Sequence, residues 1–126
     1  QDKNFNIIKQ TYEGDRKINN YISNSLKKYS LTKNANNNYK INISSDNTKD
    51  IVNKDSQGNP KNFNVKVSVN LIVISSNGNE IEKKFERTKS ISSQNKKIDE
   101  KKLEQKSIKD LSILISKDII FYLNNM

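Results

Sequence analysis

Apolar residues recur along this chain with two spacings, and the order in which the spacings alternate predicts its elements. Phe5, Ile7 and Ile8 mark a short extended run from about Asn4 to Tyr12, which Gly14 and Asp15 interrupt. Ile18, Tyr21, Ile22, Leu26 and Tyr29 then return at helical spacing, placing one apolar face on a helix that reaches about Leu31. Asp15 stands where a carboxylate accepts an orphan N–H of the first turn. Lys17, Asn20, Asn24, Lys27 and Lys28 fall on the watery side, and the asparagine-rich stretch Thr32–Asn38 ends the helix. Tyr39, Ile41 and Ile43 alternate with Lys40, Asn42 and Ser44, the pattern of a half-buried strand. Ile51 and Val52 could extend that strand past an irregular Ser45–Asp50, before a loop over Asn53–Asn62 with a Gly58-Asn59-Pro60 turn.

From Phe63 to Ile74 the alternation is unbroken: Phe63, Val65, Val67, Val69, Leu71 and Val73 share a face. Ile72 and Ile74 make the end of this strand apolar on both sides. Asn77-Gly78 suits a tight turn with positive φ at both central positions. It leads into a fourth strand, roughly Glu80–Ser92, with Ile81, Phe85 and Ile91 on one face. After a polar joint, Ser93–Lys97, a second helix starts near Asp99, with Asp99 and Glu100 at its positive end, and runs nearly to Met126. The order is βαβββα. Its simplest burial is an α+β two-layer sandwich, with two helices on one face of a four-stranded mixed sheet. The third strand is expected at or near the centre with Val65, Val67, Val69 and Leu71 towards the helices. A parallel strand–helix–strand unit favours a right-handed crossover, and the other sheet face stays in water.

Composition narrows the function classes. Residues 1–126 form one domain by size. The apolar fraction of 32% and mean hydropathy of −0.92 are low for a globular chain and would suit disorder. The regular periodicities argue instead for a small core under a wide polar surface. Net charge is +9, and all basic residues except Arg16 and Arg87 are lysines. Such a surface attracts nucleic acid, anionic headgroups or acidic partners. Dedicated phosphate readers favour arginine for its bidentate fork, and heavy use of Lys, Asn and Ile is also what an AT-rich genome produces. There is no cysteine and no histidine. This removes disulfides, thiolate nucleophiles, zinc-finger spacings and the usual nucleophile–base pairs. No apolar run is long enough to span a membrane. The chain opens at Gln1, which fits either a cleaved signal or a trimmed start.

The remaining polar groups offer little chemistry. Glu80, Glu82 and Glu86 share one face of the fourth strand and alternate with lysines, as a solvated cross-strand salt pattern would. Asp46, Asp50 and Asp55 lack the ligand density of a calcium loop, and the three glycines form no phosphate loop. No catalytic residue, metal site or cofactor is expected. Three basic clusters stand out: Lys49, Lys54 and Lys61; Lys83, Lys84, Arg87 and Lys89; and Lys96, Lys97, Lys101 and Lys102. Each reads as solvated surface, and together they could form a polyanion patch at one end of a sheet. Stacking aromatics for nucleic acid are not apparent, because the aromatics fall in register with core positions. Leu111, Ile113, Leu114, Ile115, Ile119, Ile120, Phe121 and Leu123 cover more than one face of the second helix. Either that helix is buried in its own domain or part of it meets a partner.

At this point the chain resembles the LPS-assembly outer-membrane lipoproteins of the LptE (RlpB) family. The resemblance rests on the order of elements and on FNIIKQTYEGDRKINNYISNSL, YKINIS, FNVKVSVNLIVISSNG and SIKDLSILISKDIIFYL. It implies a non-enzymatic, periplasm-facing lipoprotein, lipid-anchored to the outer membrane through a cysteine upstream of Gln1. Its partners would be an LptD-type β-barrel translocon, which it plugs and helps assemble, and lipopolysaccharide. The family's lipopolysaccharide contacts are basic, before the third strand and before the last helix. They carry over to Lys54, Lys61, Lys96, Lys97 and Lys101, with lysine where relatives use arginine. Two other readings stay open: a basic nucleic-acid-binding module, and another periplasmic lipoprotein accessory subunit.

Overall fold

The computed structural model describes residues 5–30 and 37–126. Its elements are β1 (Phe5–Gly14), α1 (Arg16–Leu26), β2 (Asn37–Lys54), β3 (Pro60–Ser75), β4 (Glu80–Ser92) and α2 (Lys97–Asn124). A short 3-10 turn, Lys27–Ser30, follows α1. The strands lie in the order β1-β2-β3-β4. β1 and β2 are parallel, and the other two pairings are antiparallel. This is the expected βαβββα sandwich with a mixed sheet. Asn4 and most of the link predicted between the first helix and the second strand lie outside the described residues.

β3 supplies the centre of the core. Phe63, Val65, Val67, Val69, Leu71 and Val73 are all buried on the helix side. Tyr39, Ile41 and Ile43 of β2 continue that face, and Ile18, Ile22, Leu26, Tyr29, Leu111, Ile115, Ile119 and Leu123 close it from above. Phe5 stacks on Tyr29 with ring centroids 4.9 Å apart, joining the start of β1 to the end of the first helical layer. The opposite face is mostly polar, apart from Ile72 and Ile74 at the end of β3. Asn64, Lys66, Ser68 and Asn70 of β3 sit between Thr48, Asp46 and Ser44 of β2 and Thr88, Glu86 and Lys84 of β4. Glu86 there reaches Lys84 of its own strand at 3.2 Å, and across to β3 it reaches Lys66 at 3.9 Å and the Ser68 hydroxyl at 3.3 Å. Of the three glutamates expected in a cross-strand salt pattern, it alone forms ion pairs among the described residues.

Several boundaries differ from expectation, each for a physical reason. α1 ends at Leu26, because Lys27–Ser30 tighten into the 3-10 turn that delivers Tyr29 onto Phe5. β2 does not become irregular at Ser45–Asp50. Continuous pairing with β3 from Tyr39↔Ser75 to Lys54↔Pro60 carries it through polar residues that have no strand pattern of their own. Past Ser45, where β1 ends, β2 is paired on one side only. In β1 a bulge between Ile7 and Lys9 turns Ile8 outward and keeps Phe5, Ile7 and Tyr12 over the core. The loop joining β3 to β4 spans Ser76–Gly78 between paired Ser75 and Asn79, one residue longer than a two-residue hairpin. Gly78, at φ +89°, supplies the left-handed residue that such a loop needs.

α2 resolves the question of its extra apolar residues by dividing them. Leu111, Ile115, Ile119 and Leu123 are buried, Ile113 and Ile120 are half-buried, and Leu114 and Phe121 are exposed. The buried side also contains Ser107, Ser112 and Ser116, whose hydroxyls donate to the carbonyls of Leu103, Ile108 and Ser112 at 2.7–2.9 Å. Small, internally satisfied side chains here avoid leaving an unpaired hydroxyl in the core.

Candidate functional site

The five lysines singled out by the resemblance all lie at one end of the sheet. Lys54 closes β2 and Lys61 opens β3, on either side of a turn that Asp55 builds. The Asp55 carboxylate accepts from the backbone N–H groups of Gln57 and Asn59, each at 2.9 Å. Those bonds, the Asn59 one foremost, hold it below the usual aspartate range, with the Lys61 charge adding to the effect. The strand register then brings in the second pair of loops. Asn62 lies opposite Ser92, and the Ser93 N–H donates to the Lys61 carbonyl at 2.8 Å. The joint between β4 and α2 therefore runs alongside the start of β3, and Lys96, Lys97 and Lys101 follow it into the first turns of α2. All five lysines are exposed, and none makes an ion pair with the described residues.

A latch holds this arrangement. Lys49 reaches from β2 to Glu100 at 2.9 Å and Glu104 at 3.2 Å, and its ammonium lies 4.3 Å from the centre of the Phe63 ring. Partial burial works against the Lys49 charge, but the two carboxylates outweigh it and raise its pKa. Glu100 is held below the usual glutamate range, chiefly by the bond from Lys49. Glu100 also accepts from the Ser93 hydroxyl at 3.3 Å, tying the joint to the helix. Lys49 is thus removed from the first basic cluster: it fixes α2 and is not free to meet a ligand.

The second cluster is largely neutralised too. Arg87 makes a bidentate pair with Asp118 at 2.8 and 2.9 Å, which raises its pKa. Lys89 lies 3.8 Å from Asp110, and Lys84 bonds Glu86. The Arg87 and Lys89 pairs secure α2 to β4. Sequence reasoning did not connect them, since Asp110 and Asp118 find their partners only once helix and strand are docked. The third cluster is different. It crowds cations at the positive end of a helix dipole, where the N-cap residue Lys96 provides no side-chain cap. Asp99 and Glu100 in the first turn offset part of that repulsion. The result is a cationic end built from two loops and a helix start, suited to multivalent anions. Among the described residues no group of histidine, cysteine or acidic side chains could hold a metal ion, and no helix is long and apolar enough to cross a membrane.

No family model and no curated protein matches the chain. Solved structures do. The chain is similar to rare lipoprotein B from Shewanella oneidensis, with a TM-score of 0.73 at 10% identity, covering 91% of this chain and 92% of that one. This chain has the rare lipoprotein B fold. The same fold relates it to lipoprotein B from Nitrosomonas europaea, at TM-score 0.66 and 12% identity over 97% of this chain and 86% of that one. A minor lipoprotein from Acinetobacter baumannii gives 0.61 and 13%, over 93% and 92%. At such identities the rare lipoprotein B fold is shared as an order of elements, and individual surface lysines are not carried over with it.

Proposed function

We propose that this protein is a non-enzymatic lipoprotein of LptE type, anchored to the outer membrane and facing the periplasm. It plugs an LptD-type β-barrel translocon and binds lipopolysaccharide on its way to the cell surface. The observation that carries the reading is the rare lipoprotein B fold, matched along nearly the whole of both chains. The mostly polar open face of the sheet suits a hydrated barrel lumen. Lys54, Lys61, Lys96, Lys97 and Lys101 would meet lipid A phosphates as point charges.

The test changes these five lysines to glutamate and measures lipopolysaccharide binding against salt concentration. Binding is expected to weaken and its salt dependence to flatten. The thermal midpoint should move little, because the residues are exposed. Reversal of Lys9, Arg16, Lys17, Lys40 and Lys109, which are also exposed, is the control matched in charge. Equal losses from both sets would mean that only diffuse charge matters. Capture from solubilised outer membranes should recover a large β-barrel in near-stoichiometric amount, and recovery of nucleic acid without a barrel would favour the basic nucleic-acid module instead.

A further inference from the structure

A second cationic feature lies at the opposite end of the molecule. β1 runs away from Phe5 and α1 returns, so the 3-10 turn Lys27–Ser30 sits back beside Phe5 and the start of β2. The C-terminal half of α2 arrives at the same end. Between the two helices is a groove of about 570 Å³, in the range that holds small ligands. Its floor is Ile113, Ser116 and Ile120 of α2, and Lys27, Lys28 and Lys117 stand around it. Counted along α2, it lies roughly 25 Å from Lys97 and Lys101.

The chemistry of this groove is one-sided. Ile113 and Ile120 are half-buried, so much of their surface is already partly withdrawn from water. The Ser116 hydroxyl donates to the Ser112 carbonyl and presents little polarity to the floor. No carboxylate lines the groove among the described residues. The sequence contains no acidic residue between Asp15 and Asp46, so α1 brings none to its flank. On α2 the neighbouring acids are already engaged on other sides: Asp118 with Arg87, and Asp110 with Lys106 and Lys89. Lys27, Lys28 and Lys117 have no such partner among the described residues, and Lys28 lies 5.4 Å from the centre of the Tyr29 ring. An apolar floor beneath an unopposed set of cations fits one kind of molecule: an alkyl chain ending in an anion.

We propose that the groove between α1 and α2 binds the acyl chain of an anionic amphiphile, with Ile113 and Ile120 against the chain and Lys27, Lys28 and Lys117 around its headgroup. This site is separate from the five-lysine end, and its occupancy does not depend on that end binding anything.

The test titrates the folded protein with dodecyl phosphate below its micellar concentration, following backbone amide shifts and heats of binding. Saturable shifts centred on Ile113, Ser116 and Ile120 are expected. Dodecyl maltoside, with the same chain and no charge, should bind about tenfold or more weakly, and inorganic phosphate should leave the groove unperturbed. Changing Lys27, Lys28 and Lys117 to glutamate should also weaken dodecyl phosphate by about tenfold or more, with an unchanged circular dichroism spectrum. Ile120→Asp should weaken both detergents. Reversing the five lysines at the far end should change nothing, which separates failure here from failure of the translocon reading. Shifts confined to the Lys54–Lys61 end, equal binding by the lysine variant, or equal response to inorganic phosphate would each overturn the proposal. So would a dimer in sedimentation that Ile120→Asp abolishes and dodecyl phosphate does not, since the occupant would then be a second copy of the chain.

Discussion

At the junction of β1 and α1, Gly14 has φ +93°, and a Cβ placed on it would lie 2.0 Å from the Ser45 carbonyl oxygen. The close approach has a purpose. Asp15 donates its N–H to that same carbonyl at 3.1 Å, while its carboxylate caps α1 through the Ile18 N–H at 2.9 Å and accepts from Asn47 at 2.8 Å. Buried Ser45 donates to the Asn19 side-chain oxygen at 2.6 Å, and Asn19 donates to the Glu13 carbonyl at 3.0 Å. One small network therefore sets where β1 stops, where α1 starts and where β2 loses its first neighbour. Gly14→Ala is expected to destabilise the fold by about 2 kcal/mol or more, from unfavourable φ together with a backbone clash that no side-chain rotation relieves. Chemical denaturation checks it, and a loss below about 0.5 kcal/mol, the size of a neutral surface change, would contradict the geometry. The Asp15 cap was legible in the sequence, since a carboxylate between a broken strand and a helical repeat has few other uses. The rest of the network was not, because Ser45 and Asn47 are polar residues whose partners lie about thirty positions away and are set by sheet register.

At the scale of elements, β3 and the buried stripe of α1 followed from periodicity, because a strictly alternating or helical apolar pattern has one way to face a core. Which of the apolar residues of α2 are buried was instead decided by docking. The misses share a cause: Ser45–Asp50 and the end of β2 at Lys54, the 3-10 turn and the start of α2 at Lys97 are fixed by neighbours rather than by local pattern. The start of α2 rests on Lys49, Glu100 and Glu104, and this gives it a pH signature. Glu100 titrates below its ordinary 4.5 in the folded protein. Its contribution to stability is therefore fully present above that value and is lost as pH falls through the lower folded value. Lys49 titrates above its ordinary 10.5. Its contribution is complete below that value and is lost as pH rises through the higher folded one. Glu100→Gln is expected to cost about 1 kcal/mol or less at pH 7, as a partly exposed pair allows. The difference from the unaltered protein should shrink progressively as pH falls below 4.5 and through the lowered folded value. Thermal melts across pH test this, and a deficit that persists undiminished in acid would assign the loss to packing instead.

For the molecule as a whole, the +9 charge is neutralised in some places and left open in others. Along β4, Arg87 and Lys89 meet Asp118 and Asp110 of α2, and on the open face Lys66 and Lys84 meet Glu86. Two groups of unopposed cations mark the ends of the sandwich, five lysines at one and Lys27, Lys28 and Lys117 at the other. Lys9, Arg16, Lys17, Lys40, Lys83, Lys102 and Lys109 also make no ion pair with the described residues. The sequence showed three basic clusters of similar weight. It could not show which of them the fold would neutralise, since Lys49 and Arg87 differ from Lys54 and Lys61 only in what lies across from them in space. Composition predicted an attraction to anions, and tertiary structure restricts where that attraction remains.

The connection between β1 and β2 sets an order of events as the chain folds. β2, β3 and β4 join through short turns and can assemble as a meander with little loss of chain entropy. β1 must close a loop from Phe5 to Asn37 before its first pairing is made. It does so against a strand already held by β3, and α1 docks with it. The rate-limiting structure should therefore resemble the meander, with β1 and α1 added on the downhill side. Mutational kinetics would read this directly. Val69→Ala is expected to slow folding, while Ile22→Val mainly speeds unfolding. The reverse pattern would place the parallel unit first. With the expected order, the half of the domain that carries Lys27 and Lys28 is the last to arrive and the first to leave, so a ligand held between α1 and α2 would act as a fastener on the least secure part of the fold.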